Sequence, residues 1–275
     1  MSEYKLAAFD MDGTLLDSKK NIRKDSLDAL QRASDCGKIL CMLTGRNEKE
    51  IDAYKHDLCM MDYFLCISGA LVFDNKKGAI IYSKSIDHDT VLKLFEISHD
   101  VDAIIHIHSD ESRFQPQDIK KLKDYGMGVY TEMFSKICTF HNNLEESYKR
   151  DPFPVYKFNF YCKNEEAREY MHKVTANLPI MTCHAETLSF ECTPPGISKA
   201  SGMTFICKRE GIDIMDTIAV GDADNDLDML QAAGLGVAMG NANENAKAAA
   251  DVIVADCDSN GIEETIDKYL IGNQR

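Results

Sequence analysis

Apolar residues along the first third of the chain occur in short runs separated by longer amphipathic stretches. Residues 6–9, 39–43 and 63–67 form runs of the length and composition of buried strands. Residues 21–36 have apolar side chains at helical spacing and are followed by glycine, a common helix stop, and residues 47–58 are also predicted to be helical. The alternation of strand and helix predicts a parallel α/β sheet.

The pattern becomes irregular in the middle of the chain. Apolar runs at 70–73 and 79–82 flank a polar, glycine-containing turn, which predicts a β-hairpin. Further on, the pattern predicts helices at 90–98 and 165–177 and strands at 101–108, 156–162, 180–183 and 188–192. Residues 115–154 give no clear pattern. We therefore predict a second, α+β unit inserted into the first.

The α/β rhythm returns after Gly196. The predicted helices are 198–210, 224–233, 242–250 and 259–270, and the predicted strands are 216–220, 235–239 and 252–254. The predicted fold class is α/β, with a Rossmann-like parallel-sheet core at 1–84 and 190–275. The inserted unit spans 85–189.

Composition narrows the function classes. The formal net charge of −14 argues against a nucleic-acid partner, which needs a basic surface. No apolar run approaches the length of a membrane span or of a signal-peptide core, so we expect a cytoplasmic protein without a membrane partner. The ten cysteines include no Cys-x-x-Cys and are expected to be reduced thiols. Monomer and small homo-oligomer are both compatible with the sequence.

The first candidate motif is Asp10-Met11-Asp12-Gly13-Thr14, directly after the first apolar run. Two carboxylates at the end of a buried strand are costly unless a metal ion or a proton neutralises them. Asp10 is a candidate nucleophile, and Asp12 is a candidate general acid and base. Asp-Gly between apolar runs is also a strong turn signal, so a β-hairpin is the open alternative.

Two further motifs carry weaker signals. Thr44 and Gly45 follow the second predicted strand and could bind phosphate through a hydroxyl and backbone N–H groups, or Thr44 could simply cap the next helix. Lys199 stands in the first turn of a predicted helix. It could neutralise phosphate charge, or it could be an ordinary solvated lysine.

The fourth motif runs from Gly221 to Asp228 and holds four acids in seven residues. An EF-hand loop is excluded, because its sixth and twelfth positions would be Leu227 and Ala233 rather than Gly and Glu. Acids at a helix N-terminus are the other alternative, but that does not explain Asp222 directly after an apolar strand. Asp222 facing the first motif would make an oxygen-rich magnesium site.

In these motifs the sequence resembles the haloacid dehalogenase superfamily, whose four motifs occur here in order. It is most similar to the Cof-type branch of sugar-phosphate phosphatases, through Leu43-Thr44-Gly45-Arg46, Ser68-Gly69-Ala70, Gly196-Ile197-Ser198-Lys199 and Gly221-Asp222-x-x-Asn225-Asp226-x-x-Met229. The chain departs from the branch at Ser68, where Asn is frequent, and at Ala200, where Gly commonly follows the lysine. The resemblance implies that the inserted unit is a cap domain for substrate selection.

The resemblance also implies roles for individual residues. Magnesium would be held by Asp10, Asp222 and the backbone carbonyl of Asp12. Asp226 would position these ligands without binding the ion itself. The residues implied in phosphate binding are Met11, Thr44, Gly45, Lys199 and Asn225.

The function predicted from this resemblance is a Mg²⁺-dependent phosphatase acting on a small phosphorylated metabolite through an aspartyl-phosphate. Asp12 favours phosphatases and phosphomutases, because haloacid dehalogenases lack this acid and P-type ATPases have Thr there. A phosphomutase or phosphotransferase is the alternative with the same chemistry. A non-catalytic regulator that binds a phosphorylated ligand is the alternative from another class.

Two histidines outside the motifs, His106 and His108, alternate on a predicted strand and so point to the same side. With Asp110 as a third ligand they could bind zinc. The simpler interpretation is an exposed strand face or a substrate-facing part of the inserted unit.

Overall fold

A computed structural model describes residues 4–183 and 188–272. Its strands, in chain order, are β1 Leu6–Asp10, β2 Ile39–Leu43, β3 Tyr63–Cys66, β4 Leu71–Asp74, β5 Ala79–Ser83, β6 Ala103–His108, β7 Ser112–Phe114, β8 Thr139–Phe140, β9 Lys157–Cys162, β10 Met181–Cys183, β11 Ser189–Thr193, β12 Thr217–Gly221, β13 Leu235–Ala238 and β14 Val252–Ile253.

Its α-helices are α1 Lys24–Asp35, α2 Asp52–Lys55, α3 His88–Ser98, α4 Pro116–Ile119, α5 Thr131–Ile137, α6 Leu144–Arg150, α7 Glu165–Thr175, α8 Lys199–Glu210, α9 Leu227–Ala232, α10 Glu244–Ala249 and α11 Gly261–Thr265. Short 3₁₀ turns occupy Lys49–Ile51, Ile67–Gly69, Leu122–Tyr125, Gly128–Tyr130, Ile214–Asp216 and Asp224–Asp226, and a π-helical turn follows α11 at Ile266–Leu270.

The chain divides into two compact units. One comprises Met1–Gly45, Ala53–Tyr82 and Ser198–Arg275, and the other comprises Arg46–Asp52 and Ser83–Ile197. The second unit thus includes a short segment, 46–52, outside the range 85–189 predicted for the insertion. Within that unit Glu50 accepts a hydrogen bond from Ser112 at 2.8 Å, which links the segment to β7.

The first unit is built on an eight-stranded sheet in the order β14-β13-β12-β1-β2-β3-β4-β5. The six strands from β14 to β3 are parallel, and β4 is antiparallel to β3. The strands of the central four are fully buried or nearly so, as their continuous apolar runs predict. β1 therefore lies in the middle of the sheet, and its carboxyl end opens at an edge shared with β2 and β12.

The second unit contains a six-stranded sheet in the order β10-β11-β9-β6-β7-β8. All neighbouring pairs are antiparallel except β7 and β8. Two apolar clusters, one around Phe158 and Phe160 and one around Phe114 and Phe134, form its core. The fold is thus the predicted α/β class with an inserted α+β cap domain.

Two predictions of local structure need correction. The helix predicted at 47–58 is a 3₁₀ turn followed by the four-residue α2. Asn47 Oδ1 accepts from the Glu50 backbone N–H at 3.0 Å, and Glu50 Oε2 accepts from the Asn47 N–H at 3.3 Å, so these residues cap the start of the turn. The continuous helix is replaced because Glu50 turns inward, where its other oxygen accepts from the Ser112 hydroxyl. The hairpin proposed for Asp12-Gly13 is also absent, because β1 pairs in parallel with β2 and β12.

No helix in the described ranges is both long and apolar enough to cross a membrane.

Candidate active site

Asp10 ends β1 and is buried, with 6% of its surface exposed. It is paired in register with Leu43, the last residue of β2, and Phe9 is paired with Val220 of β12. Residues that follow β2 and β12, namely Thr44 and Asp222, consequently lie at the same sheet edge as Asp10. This is the edge at which open α/β sheets bind ligands.

Lys199 begins α8, and its side chain is almost completely buried. Ser198 fixes this position because it caps the helix: its side chain accepts from the Ser201 N–H, and the Ser201 hydroxyl accepts from the Ser198 N–H. The Lys199 ammonium contacts Asp10 Oδ1 and lies 2.5 Å from Asp226 Oδ1. One cation therefore bridges two buried carboxylates.

The charges of this group are not balanced by protein alone. Burial raises the pKa of Asp10 above its usual range; the Lys199 ammonium opposes that shift, and the Asp226 and Asp222 carboxylates add to it. Burial by itself lowers the pKa of Lys199, but Asp10 and Asp226 more than offset it, so Lys199 stays protonated. Three carboxylates around one ammonium leave a deficit of positive charge.

Asp222 follows β12 and faces the glycine of the first motif. Gly13 has φ +82°, and a Cβ built on it would lie 2.4 Å from Asp222 Oδ2, so only glycine allows this approach. Thr14 donates to Asp222 Oδ1 at 3.1 Å. Burial raises the pKa of Asp222 to about 6, with Asp226 adding to the shift and the Thr14 hydroxyl opposing it.

Asp226 is fully buried, and both of its oxygens are engaged. Oδ2 accepts from the backbone N–H groups of Asp222 and Ala223 at 2.9 and 3.0 Å, and Oδ1 accepts from Lys199. Asp226 therefore holds the turn that carries Asp222 and orients the lysine at the same time.

The remaining predicted site residues lie around this group. Thr44 is 1% exposed, and its backbone carbonyl accepts from the Ser68 N–H at 2.9 Å. Gly45 follows it and is half-buried, Met11 is fully buried, and Asn225 is half-buried on the turn between Asp224 and Asp226. The Asp12 side chain is not part of the carboxylate group. It forms an ion pair with Lys20 at 2.7 Å and is partly exposed.

The residues present fit a hard divalent cation. Carboxylate oxygens from Asp10, Asp222 and Asp226 lie within 4.8 Å of one another, and Mg²⁺ prefers oxygen ligands of this kind. A cation here would also supply the positive charge that the buried carboxylates lack. The site is therefore a candidate metal centre next to a candidate nucleophile.

Three contacts of this site were not predicted from the sequence. Thr14 donates to Asp222, Lys20 pairs with Asp12, and Asn241 Nδ2 donates to the Gly13 carbonyl at 2.8 Å. Thr14 belongs to the first motif and could have been assigned there. Lys20 and Asn241 have no distinguishing sequence context, because each reaches the site only through the folded loops.

Comparison with known proteins places the chain in a family. The family model for haloacid dehalogenase-like hydrolases matches residues 7–266. The phosphatase YwpJ of Bacillus subtilis is 27% identical over 97% of this chain and 100% of its own. The pyridoxal phosphate phosphatase YbhA of Escherichia coli is 25% identical over 97% of this chain and 99% of its own. A solved haloacid dehalogenase-like hydrolase from B. subtilis, 24% identical, has the same fold with a TM-score of 0.87 over 97% of this chain and 100% of its own.

The chain belongs to the haloacid dehalogenase-like hydrolase family. Within that family it is a member of the Cof-type branch and a phosphoric monoester hydrolase, which confirms the prediction made from the motifs.

Proposed function

We propose that the protein is a Mg²⁺-dependent phosphatase of small phosphorylated metabolites and that Asp10 is its nucleophile. The observation that carries this proposal is the group formed by Asp10, Lys199, Asp222 and Asp226 at the carboxyl end of β1. It combines a buried carboxylate, a fixed ammonium and an oxygen-only cation site. A protein that only binds its ligand has no need of a nucleophilic carboxylate.

In the first step an Asp10 oxygen attacks phosphorus, and the bond from phosphorus to the ester oxygen breaks. Asp12 gives its proton to the leaving alkoxide, which departs as an alcohol. Lys199 keeps Asp10 in place and offsets negative charge on the transferring group. Asp10 then carries the phosphoryl group as an acyl phosphate.

In the second step the Asp12 carboxylate takes a proton from water, and the resulting hydroxide attacks phosphorus. The bond to Asp10 breaks, inorganic phosphate leaves, and Asp12 is protonated again for the next cycle. A magnesium ion held by Asp10, Asp222 and the Asp12 carbonyl would supply further charge neutralisation for the phosphoryl group. Thr44, Asn225 and the N–H groups near Met11 and Gly45 would hold the phosphate oxygens.

We assign substrate selection to the second unit, which corresponds to the cap domain of the family. The resemblance of this chain to the family supports that assignment. The relative YbhA makes pyridoxal phosphate a reasonable member of a test panel. Sugar phosphates complete the panel, because the chain is most similar to the sugar-phosphate branch.

The test is phosphate release from this panel with and without Mg²⁺, for wild type, Asp10→Asn and the control Asp57→Asn. We expect Mg²⁺-dependent release that Asp10→Asn lowers by at least about 10³-fold, since the nucleophile is lost. Asp57 is exposed on the same unit, and its variant should match wild type. Near-wild-type turnover by Asp10→Asn would contradict the mechanism, and an isomerised sugar phosphate without released phosphate would indicate a mutase.

A further inference from the structure

A second group of possible metal ligands lies inside the second unit and plays no part in the proposed reaction. His106 and His108 stand on one face of β6, and Glu50 reaches them from the 3₁₀ turn Lys49–Ile51. These three residues expose 0%, 3% and 5% of their surface, respectively. The interpretation of His106 and His108 as an exposed strand face is therefore wrong.

The three side chains converge on one point. Glu50 Oε1 lies 3.8 Å from His106 Nε2 and 3.7 Å from His108 Nδ1, and the three ligand atoms lie within 4.8 Å of one another. Two ligands of a tetrahedral zinc ion with bonds of ~2.0–2.1 Å are roughly 3.3 Å apart. The two distances from Glu50 Oε1 exceed that separation by about 0.5 Å or less.

One ring nitrogen of His108 lacks a hydrogen-bond partner beside Glu50. Its Nδ1 is buried and has no hydrogen-bond partner, and the neighbouring Asn159 Oδ1 has none either. His108 Nε2 lies 3.4 Å from Asn159 Nδ2. A half-turn of the Asn159 amide would let Oδ1 accept from Nε2–H, which leaves the lone pair of Nδ1 directed at the space beside Glu50. Such a hydrogen bond behind a ligating histidine is a common feature of metal sites.

His106 has a similar support. Its Nδ1 is 2.8 Å from the Tyr161 hydroxyl, so Nδ1–H can donate there while Nε2 offers its lone pair. The Ser112 hydroxyl donates its one proton to Glu50 Oε1 at 2.8 Å, so its contact with His106 has Nε2–H as the donor. An ion bound at Nε2 requires the other tautomer of His106, with the ring proton on Nδ1 and directed at Tyr161.

Glu50 lies near two buried cations. Lys157 is paired with Glu191 at 3.0 Å, and both Lys157 and Arg46 act electrostatically on Glu50. Burial raises the pKa of Glu50, and the Ser112 hydroxyl, Lys157 and Arg46 offset only part of that shift. Burial lowers the pKa of both histidines, and the charge of Lys157 adds to that shift.

We propose that Glu50, His106 and His108 bind a zinc ion within the second unit. Two imidazole nitrogens and one carboxylate oxygen are a donor set typical of zinc and differ from the oxygen-only set around Asp10. The ion fastens segment 46–52 to β6. Asp110, the third ligand considered from the sequence, is engaged elsewhere: it accepts from the Tyr156 hydroxyl at 3.1 Å.

The experiment uses the full chain, stripped with a chelator and dialysed against Zn²⁺ in excess Mg²⁺, which competes for the oxygen-only group. Bound zinc is then counted by mass spectrometry. We expect about one zinc per chain in wild type and in Asp222→Asn, and none in His108→Gln or Glu50→Gln. His99→Gln is the matched control, because His99 is an exposed histidine of the same unit, and it should keep the ion.

Two results would overturn the proposal. One is a wild type that binds no more zinc than His108→Gln. The other is zinc that is lost in Asp222→Asn but kept in His108→Gln. If the variants do not fold, X-ray absorption at the zinc edge of loaded wild type decides: scattering from two imidazole rings supports the site, and an oxygen-only shell refutes it.

Discussion

Lys199 shows how much a single buried charge controls in this protein. Its side chain is 1% exposed and lies between Asp10 and Asp226, neither of which has more than 8% of its side chain exposed. Taking such groups out of water costs several kcal/mol per ion, and the cost is offset only while the charges stay paired. The same lysine therefore serves folding and, in the proposed reaction, phosphate binding.

Replacing Lys199 with Met should destabilise the metal-free protein strongly. Two buried carboxylates would lose their shared cation, so we expect the free energy of unfolding to fall by roughly 3–5 kcal/mol. Urea unfolding in the presence of a chelator measures this. Lys208→Met is the control in the same helix; Lys208 is exposed near the end of α8, and its loss should change stability by less than about 0.5 kcal/mol. Equal midpoints for the two variants would show that the buried pairing has no net value.

For Asp12, the sequence indicates a candidate general acid and base but does not indicate the residue with which it forms an ion pair. The sequence places it two residues after Asp10, but only the structure shows the ion pair with Lys20. Lys20 has φ +64°, a conformation that the loop after β1 imposes. Its ammonium reaches Asp12 because of that loop geometry, which no local pattern encodes.

At the level of elements, the turn after β3 is the most strained part of the first unit. Ile67, Ser68 and Gly69 all have positive φ, at 52°, 56° and 93°. The left-handed region is unfavourable for residues other than Gly, Asn and Asp. The turn is held because the Ser68 N–H donates to the Thr44 carbonyl and Gly69 packs close to Gly202 of α8. It therefore links the segment after β2 to the helix that carries Lys199.

Ser68→Asn should stabilise the protein. The branch that this chain resembles often has Asn at this position, and Asn tolerates the left-handed conformation better than Ser. We expect a gain of about 0.5–1 kcal/mol in the free energy of unfolding, visible as a higher urea midpoint at an unchanged slope. Ser68→Ala is the control, since Ala lacks the local side-chain hydrogen bond. The idea fails if Asn at this position is no more stable than Ala.

The segment 47–58 shows how tertiary contacts override a helical pattern. Its spacing predicts one helix, but Glu50 turns inward to His106, His108 and Ser112 of the second unit. The continuous helix gives way to a 3₁₀ turn and the short α2. The predicted helix is interrupted at Glu50, which we propose as a zinc ligand.

At the level of the whole molecule, we expect the acidic charge and the carboxylate group to make stability depend on divalent cations. Mg²⁺ that binds only the folded protein should stabilise it by about 2.7 kcal/mol when its concentration is 100 times Kd. We expect a higher melting temperature in Mg²⁺ than in NaCl of the same ionic strength. Asp222→Asn should lose most of this difference because it removes one ligand.

Calorimetry or circular dichroism of the two proteins in both salts measures this effect. A Mg²⁺-specific shift that survives in Asp222→Asn would place the ion elsewhere, and no shift in wild type would remove magnesium from the proposed function. The salt control matters because a chain of net charge −14 is stabilised by any added cation.

The sequence by itself determined most of the fold and the types of the site residues. The strands of the parallel sheet are continuous apolar runs, since both faces of such a sheet are buried, and the chemistry of the four motifs follows from residues close together in the chain. The region 115–154 gave no prediction. The structure shows short helices and 3₁₀ turns there, too short for a helical period to be recognisable.

Only the tertiary structure decided which distant residues meet. In the structure Lys199 forms ion pairs with both Asp10 and Asp226, and Lys20 pairs with Asp12. Glu50, rather than Asp110, lies beside the two histidines. The physical reason is that a charge's partner is set by the path of the backbone through space and by the cost of leaving that charge buried alone. Neither quantity can be read from the neighbours of a residue in the sequence.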